Sequence, residues 1–281
     1  SVDYTEGFKS YFKDYSARVH SAGHSYIDFA ADETRPAFIA PGEVDLTVSL
    51  TNQQGQSTSL QPAGFTAKPR HHYRVKFDVA EGTGNAVLKI IFDDTLVSED
   101  VTIDLTDELF TTPAPEVKAE GFVSDSPVEA LEGNAPASPF LFTAVARGGM
   151  AEASLTVDSQ TVPAFGREVN LVGASAALQQ QIASSGISAV GFFKNPDKLA
   201  RLDVTEFVKS LPAGTHRISL VVKDRYTRVS DPVTLVVSTE AIHLEAQAED
   251  VVFGSNQAFI DIEYNGANPD KAFTFKALDK F

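Results

Sequence analysis

Apolar and polar residues alternate along most of the chain, and this pattern predicts β-strands with one buried face. The clearest example is Val44–Leu50, in which every second residue is Val or Leu. In residues 1–20, aromatic side chains first follow helical spacing and then alternate from about residue 15, which predicts a short helical or irregular start followed by a strand. The further predicted strands are Ser25–Ala30, Val44–Leu50, Tyr73–Val79, Ala86–Phe92 and Val97–Leu105. Six or seven short strands favour an antiparallel sandwich.

The same alternation continues after residue 112. The predicted strands there are Glu116–Val123, Phe140–Arg147, Ala151–Asp158, Ser188–Phe193, His216–Lys223 and Val233–Ser238. Gly148-Gly149, between two of these strands, predicts a hairpin turn. Ser175–Ser184 is rich in Ala, Leu and Gln, with Ser175 as an N-cap and Gly186 beyond its end, and it predicts the one real helix. Thr205–Leu211 is expected to form a helical turn.

Two prolines mark the main domain boundary, because Thr111–Pro115 is typical of a stiff, extended connector. We therefore predict an N-terminal β-sandwich over 1–112 and an immunoglobulin-like β-sandwich over 113–240. The 41 residues of 241–281 are too few for an independent β domain. We expect them to be the front half of a third immunoglobulin-like domain, docked on the second or completed by a neighbouring chain. The predicted fold class is all-β: tandem immunoglobulin-like β-sandwiches with one short helix in the second domain.

Composition excludes several classes of function. With 23 basic and 38 acidic residues the net charge is −15, so the surface repels nucleic acid. The absence of Cys rules out disulfides, Cys–zinc sites, iron–sulfur clusters and Cys nucleophiles. No apolar run approaches the roughly 20 residues of a membrane helix. We expect no cofactor and no nucleic-acid partner, and membrane contact only through a lipid anchor outside this sequence.

The histidines form no convincing metal site. His20 and His24 are four residues apart, but Ser-Ala-Gly between them is a poor helix and no Glu follows His20, so the zinc-protease pattern fails. His71 and His72 are adjacent, so in a strand they would face opposite sides, and a structural role is favoured.

The acidic residues between Asp93 and Glu108 could gather Ca²⁺, which prefers six to eight oxygen ligands. Their spacing matches no twelve-residue calcium loop, so a solvated strand face is the favoured interpretation. The sequence also lacks a Gly-x-Ser-x-Gly motif and a recognisable catalytic triad. Gly82-x-Gly84 lies between two predicted strands and indicates a hairpin tip. We predict no metal site, no catalytic residue and no enzymatic activity.

Two aromatic features suggest contact surfaces. Phe192 and Phe193 are adjacent in a predicted strand and cannot both face one core, so one should cover an interdomain seam or a partner surface. The Asp224–Pro232 segment should form an exposed hairpin loop, and loops at sandwich ends often carry binding residues. In it, Arg225, Tyr226 and Arg228 are the candidate binding residues. If the loop is exposed, replacing Arg225 and Tyr226 by Ala should hardly change the melting temperature.

Several stretches resemble a known family. Ala37–Val44 and His72–Val79 resemble the N-terminal region of Bacteroides-type surface lipoproteins with tandem immunoglobulin-like domains. Leu211–His216, Val221–Tyr226 and Val229–Pro232 are similar to the last hairpin of a bacterial immunoglobulin-like module. The resemblance implies a cell-adhesion or fimbria-associated protein, exported to the cell surface or outer membrane, with no catalytic residues. The lipidated Cys with which that family begins is absent here, so the sequence leaves open whether a lipid anchor precedes Ser1.

Two functions remain open from the sequence. The first is a non-catalytic cell-surface adhesion or scaffold protein, which is indicated by tandem sandwiches, a proline connector and the lack of catalytic chemistry. The second is a glycan-binding accessory lipoprotein of an outer-membrane sugar-uptake system. The absence of Trp weakens glycan binding, although a Tyr-based site such as Tyr226 remains possible. In either case the expected partner is a protein or glycan on a cell or matrix surface.

Overall fold

The structure is a computed structural model, and it describes residues 1–21, 26–31, 33, 35–81, 86–94, 97–134, 136–193, 198–248 and 260–264. It is an all-β chain in which short strands build two successive sandwiches, as the alternating pattern predicts. No helix in these ranges is long and apolar enough to cross a membrane.

The N-terminal sandwich consists of two sheets. Its strands are β1 (Val2–Tyr4), β2 (Asp14–Ser21), β3 (Tyr26–Ala30), β4 (Gly42–Thr51), β5 (Ser57–Leu60), β6 (Phe65–Ala67), β7 (Arg74–Glu81), β8 (Ala86–Asp94) and β9 (Val97–Leu105). One sheet has the order β1-β7-β8-β9, and the other has the order β3-β2-β4-β5 with β6 also paired to β4. The expected antiparallel pattern holds for these pairs except for β1, which runs parallel to β7.

Two short helices close this sandwich, α1 (Glu6–Tyr11) and α2 (Asp107–Thr111). The helical start predicted from the aromatic spacing is therefore confirmed. Helix α1 is capped by Thr5, whose hydroxyl accepts a hydrogen bond from the backbone N–H of Phe8 at 3.2 Å. The helix places the fully buried Phe8 in the core between the sheets, with its ring centroid 5.7 Å from that of Phe77 on β7.

The second sandwich also has two sheets and one shared core. Its strands are β10 (Glu116–Glu120), β11 (Pro127–Leu131), β12 (Leu141–Val145), β13 (Met150–Asp158), β14 (Glu168–Asn170), β15 (Ser188–Val190), β16 (Leu199–Asp203), β17 (Gly214–Asp224) and β18 (Val233–Glu240). The sheet orders are β10-β12-β16-β15 and β11-β18-β17-β13-β14. Its core draws on residues from Val117 to Val237. The predicted domain boundaries at 112 and 240 stay a prediction.

Two helices lie in the second sandwich, α3 (Ala176–Ser184) and α4 (Thr205–Lys209). Helix α3 is the predicted one: the Ser175 hydroxyl caps it by accepting from the N–H of Leu178 at 3.3 Å. The chain turns away at Gly186, which has φ +84° and no room for a Cβ beside the Glu206–Phe207 backbone. Helix α4 is a second short helix, where the sequence suggested only a helical turn.

The turn at Gly148-Gly149 differs from its prediction. The hairpin interpretation is wrong, because β12 and β13 belong to different sheets and the two glycines carry the chain from one sheet to the other. By contrast, β17 and β18 pair directly, with Ile218 opposite Leu235, so the Asp224–Pro232 segment does connect a hairpin.

Two pairs of adjacent residues also differ from expectation. Phe192 is fully buried, and Phe193 packs partly buried against the same core, so the expectation that the two cannot face one core is wrong. The alternation rule fails there because β15 ends at Val190 and Gly191, with φ +83°, bends the chain. His71 and His72 precede β7 rather than lying in a strand, and both are exposed.

Several short strands were not predicted: β1, β5, β6, β11, β14 and β16. Strands β5, β11 and β14 lie at sheet edges, where a strand needs only one partner and no continuous apolar face. The sequence of β5, Ser-Thr-Ser-Leu, accordingly has a single large apolar residue.

In the C-terminal part, β19 (Leu244–Ala248) and β20 (Ile260–Tyr264) form an antiparallel pair in which Leu244 lies opposite Tyr264. The alternating pattern also predicts a strand at 272–275, which lies outside the described residues. That 241–281 is part of a third domain stays a prediction.

Candidate functional site

The three candidate binding residues lie between the two sandwiches. We call Asp224–Arg228 the joint loop. The prediction that this loop is exposed is wrong for two of the candidates, because only 3% of Tyr226 and 3% of Arg228 is accessible. Tyr226 packs into the core of the N-terminal sandwich although it belongs to the second. The expectation that Tyr226 could be lost without a change in stability rested on the same assumption.

The Asp224 carboxylate organises the joint loop from inside. Its Oδ1 accepts hydrogen bonds from the backbone N–H groups of Tyr226, at 2.9 Å, and Arg228, at 3.0 Å. Its Oδ2 accepts from Nε of Arg228 at 2.9 Å and from Nη2 at 2.6 Å. Thr227 closes the turn in the left-handed region, with φ 62°. The result is a buried, bidentate ion pair whose carboxylate is fully hydrogen-bonded.

The remaining donors of Arg228 reach into the N-terminal half of the chain. Nη1 donates to the carbonyl oxygen of Leu109 at 3.3 Å and to that of Thr112. On the other side, the backbone N–H of Gln61 donates to the carbonyl oxygen of Thr227 at 2.7 Å. A buried charge is tolerated when its partners are this complete. Arg228 therefore joins the proline connector to the second sandwich.

A second cluster lies at the edge of the joint. The hydroxyl of Tyr226 donates to Oε2 of Glu108 at 2.8 Å, and Nη2 of Arg225 reaches the same oxygen at 2.5 Å. Thr106 Oγ1 lies 3.2 Å from the Tyr226 hydroxyl. The hydrogen bond from Tyr226, together with the charge of Arg225, holds the pKa of Glu108 below its ordinary value.

Gly148 lies directly against the joint loop, with no room for a side chain. A Cβ at this position would lie 2.8 Å from Oδ2 of Asp224, 3.0 Å from the Tyr226 ring and 3.1 Å from Nη2 of Arg228. The next residue, Gly149, accepts a hydrogen bond from the N–H of Arg225 at 3.0 Å. Close approach of the loop therefore explains the glycine that the sequence pattern attributed to a hairpin.

Binding of an external ligand by Arg225, Tyr226 and Arg228 stays a prediction. Of these three residues, only Arg225 is accessible to an external ligand, with 53% of its side chain exposed. Sequence reasoning missed Asp224 and Gly148, which contact these residues directly. The spacing of Asp224 four residues before Arg228 was the signal in the sequence that could have indicated their ion pair.

A second candidate site is an apolar cavity of about 400 Å³ in the N-terminal sandwich, which we call the N-terminal cleft. It opens between β1 and β7 of one sheet and β2, β3 and β6 of the other. Its walls include the buried Val19, Phe29 and Val75. One side is covered by the segment 36–41, and the rim is formed by 68–73. The Ala37–Val44 and His72–Val79 stretches noted in the sequence thus meet at this cleft.

Metal chemistry has no support in the described part of the chain, where no three His, Asp or Glu side chains lie close enough to hold an ion. His20 lies on β2, whereas His24 is outside the described residues. The side chains of residues 93–100, which include much of the acidic run considered for Ca²⁺, are also outside them.

Comparison with known proteins gives one family match. Residues 1–107 match the model of a family described as a domain of unknown function, DUF4493. No curated protein matches the chain.

Among solved structures, the chain is similar to fibronectin(III)-like modules of Clostridium thermocellum CbhA, with 11% identity over 82% of this chain and 80% of that one, and a TM-score of 0.26. It is similar to the sialic acid-binding region of a Streptococcus sanguinis adhesin, with 11% identity, coverage of 71% and 56%, and a TM-score of 0.25. A tandem repeat from the extending region of a large adhesion protein gives 10% identity, coverage of 91% and 81%, and a TM-score of 0.24. These distant similarities assign no ligand to the chain; its N-terminal sandwich is the part that matches the DUF4493 family.

Proposed function

We propose that the chain is a non-catalytic adhesion or scaffold protein of the cell surface, in which two β-sandwiches act as one rigid unit. The observation that carries this proposal is the joint, where Arg228 and Tyr226 of the second sandwich are buried against the first. Domains within one chain usually move relative to each other unless their interface is extensive and well packed.

Rigidity follows from the kind of contact at the joint. Arg228 donates to two main-chain carbonyls of the 109–112 segment, so the connector is held at its backbone rather than by flexible surface side chains. Breaking these bonds would leave Nη1 of the buried Arg228 without acceptors, which is costly. A rigid arrangement presents the outer loops at a fixed distance and orientation, which is what a surface scaffold requires.

The buried polar groups support a structural rather than catalytic interpretation. Ser159 Oγ lies 2.8 Å from Nδ1 of the fully buried His216, a pairing that resembles a nucleophile and its base. However, Nε2 of His216 lies 2.7 Å from the carbonyl oxygen of Pro212, which can only accept, so Nε2 carries the proton. Nδ1 then accepts from Ser159. A catalytic base would be bonded in the same way, but Ser159 is only 5% accessible and His216 is fully buried, so the structural interpretation rests on this burial and on the Pro212–His216 turn that the pair holds.

Export to the surface behind a lipid anchor, as in Bacteroides-type lipoproteins, is part of the same proposal and is supported by the sequence resemblance. A direct test uses beads coated with the purified chain, applied under flow to cells and to extracellular-matrix proteins. We expect the beads to be retained, and retention should fall when Asp224→Ala loosens the joint. Beads that pass all surfaces as freely as albumin-coated beads would contradict an adhesive role.

A glycan-binding function is the alternative, and an exposed aromatic residue favours it. Tyr26 is 54% accessible, and the guanidinium of Arg18 lies 3.9 Å from its ring centroid. Because the Arg18 guanidinium covers one face of the ring, a sugar would stack on the opposite face. A glycan array tests this function: a specific hit that disappears in Tyr26→Ala supports it, and an empty array contradicts it.

A further inference from the structure

The N-terminal cleft has the size and lining of a small-molecule site. Its volume of about 400 Å³ falls within the roughly 300–1,000 Å³ typical of ligand pockets. Val19, Phe29, Ala67 and Val75 all line it and are at most 7% accessible. Protein cores normally fill such space with side chains, because interiors are closely packed. An apolar cavity left open between two sheets is therefore a feature to be explained.

The covering segment could have filled the cleft but does not. Pro36 and Pro41 lie at the ends of this segment along the cleft, and proline supplies no N–H for a strand ladder. Between them Phe38 is fully exposed, although a Phe side chain usually gains by burial. An aromatic residue held beside an apolar cavity can close over a ligand that enters it.

The rim of the cleft is basic in a protein with a net charge of −15. Residues 46–77 contain no Asp or Glu but include Lys68, Arg70, Arg74 and Lys76. Lys68 and Arg70 line the cleft, and neither forms an ion pair with another described residue. Arg70 also has φ 62°, a conformation that is unfavourable for a non-glycine residue and is often found at functional sites. Of the described residues that line the cleft, none is Asp or Glu.

We propose that the N-terminal cleft binds a free fatty carboxylate, with its acyl chain between the sheets and its carboxylate at Lys68 and Arg70. Apolar walls, and a cationic rim whose Lys68 and Arg70 form no ion pair with another described residue, together select an apolar body with one negative charge. A sugar would leave its hydroxyls unpaired against Val19, Phe29 and Val75. This proposal goes beyond the scaffold function and does not depend on it.

Three ligands of equal chain length separate the contributions of chain and charge. We would measure binding of decanoate, decanol and decyltrimethylammonium to the full chain by displacement of a fluorescent fatty acid. Decanoate should bind at least tenfold more tightly than the cation. Octanoate, two methylenes shorter, should bind roughly tenfold more weakly than decanoate. Equal affinity for the anion and the cation, or no displacement below the micelle concentration, would overturn the proposal.

Variants locate the ligand. Arg70→Gly removes the guanidinium at a position where glycine is the favoured residue, and Lys68→Gln removes the second charge; together they should reduce the affinity for decanoate at least tenfold. Lys118→Gln, an exposed lysine of the second sandwich, is the matched control and should have no effect. Ala37→Phe should fill the cleft and abolish binding of every chain. If it does not fold, Ala67→Leu repeats the test from β6. Unchanged affinity in a folded filled variant would place the ligand elsewhere and refute the proposal.

The source of the carboxylate is tested separately. Vesicles of phosphatidylglycerol present the same combination of acyl chain and negative charge in a bilayer. A cleft that encloses a single free chain should give no co-sedimentation with these vesicles at concentrations that saturate decanoate binding. Co-sedimentation without decanoate binding would show a membrane-surface site and overturn the proposal.

Discussion

The joint loop and the rim of the N-terminal cleft contain similar residues, but these residues have different roles. Each is a short turn that carries an arginine and an aromatic residue, and each has a non-glycine residue at φ 62°, Thr227 in one and Arg70 in the other. In the joint loop, the carboxylate of Asp224 and the carbonyls of Leu109 and Thr112 occupy the donors of Arg228. At the rim, Arg70 is exposed and has no described ion-pair partner.

The difference shows that residue type alone does not separate a binding loop from a structural one. Arginine and tyrosine are common in both, and what decides is whether the fold itself supplies their partners. In the joint loop, the protein itself supplies the hydrogen-bond and ion-pair partners of Arg228 and Tyr226. At the rim, Arg70 has no ion-pair partner among the described residues. Substitutions should therefore affect stability at the joint and affinity at the rim.

The largest effect is expected from Asp224→Ala, which leaves the buried Arg228 without its carboxylate. Loss of one partner of a buried ion pair typically costs about 3–5 kcal/mol. The measurement is the urea midpoint of the sandwich that carries the substitution. The matched control is Asp28→Ala, which breaks an equally bidentate pair with Arg18 at 2.7 and 3.0 Å, but one that is half exposed. Equal shifts of the urea midpoint for the two variants would show that the buried ion pair at the joint stabilises the protein no more than the half-exposed pair does.

Gly148→Ala should have the next largest effect. The new Cβ would lie within 3.1 Å of Asp224, Tyr226 and Arg228, and overpacking of this kind typically costs about 1–3 kcal/mol. Because the closest atom belongs to Asp224, the cost should shrink when Asp224→Ala is already present. A double-mutant cycle measures this coupling, and strict additivity would argue against the described contact.

Tyr226→Phe should have a smaller effect, since it removes one hydroxyl and keeps the ring in the core. We expect a loss of about 1 kcal/mol from the missing hydrogen bonds of Tyr226. The pKa of Glu108 should rise towards its ordinary value, because the Tyr226 hydroxyl is the main cause of its depression. A carboxylate with a lowered folded-state pKa stabilises above its unfolded pKa and loses this effect as the pH falls through the folded value.

Carboxyl NMR titration of Glu108 checks this expectation, together with acid unfolding of both proteins. The wild-type protein should lose stability more steeply than Tyr226→Phe as the pH falls through the range in which Glu108 becomes protonated. An unchanged Glu108 titration in the variant would show that the hydroxyl does not bind this carboxylate.

The smallest effect on stability is expected from Arg70→Gly at the rim. The side chain is exposed and glycine suits the backbone conformation, so the free energy of unfolding should change by less than about 0.5 kcal/mol. Thermal melting measures the change. A loss comparable to that of Gly148→Ala would mean that the rim is structural, as the joint loop is.

Local patterns predicted much of the fold. Alternation in Val44–Leu50 and the Ser175 cap depend on neighbouring residues, so the strand and helix α3 could be predicted from the sequence. The role of Gly148 could not, because the atoms that exclude a Cβ belong to residues more than 70 positions later in the chain. The burial of Tyr226 likewise depends on the N-terminal sandwich, which no pattern within the hairpin reveals.

The same reasoning explains the partial success at the candidate sites. Arg225, Tyr226 and Arg228 were recognised as unusual, but Asp224, which uses both carboxylate oxygens to organise them, was not. Two stretches that line the N-terminal cleft, Ala37–Val44 and His72–Val79, were noted in the sequence, but only for their family resemblance. Their convergence follows from sheet topology, which brings the 36–41 segment and the start of β7 to the same cavity.

The central claim is that the joint holds the two sandwiches in one arrangement, and a distance measurement tests it most directly. The chain has no native Cys, so Gln54→Cys and Gln180→Cys place one spin label on an exposed turn of the first sandwich and one on helix α3 of the second. Electron–electron double resonance should give a single narrow distance distribution, which broadens in the Asp224→Ala background. A broad distribution in the otherwise unaltered protein would contradict the account.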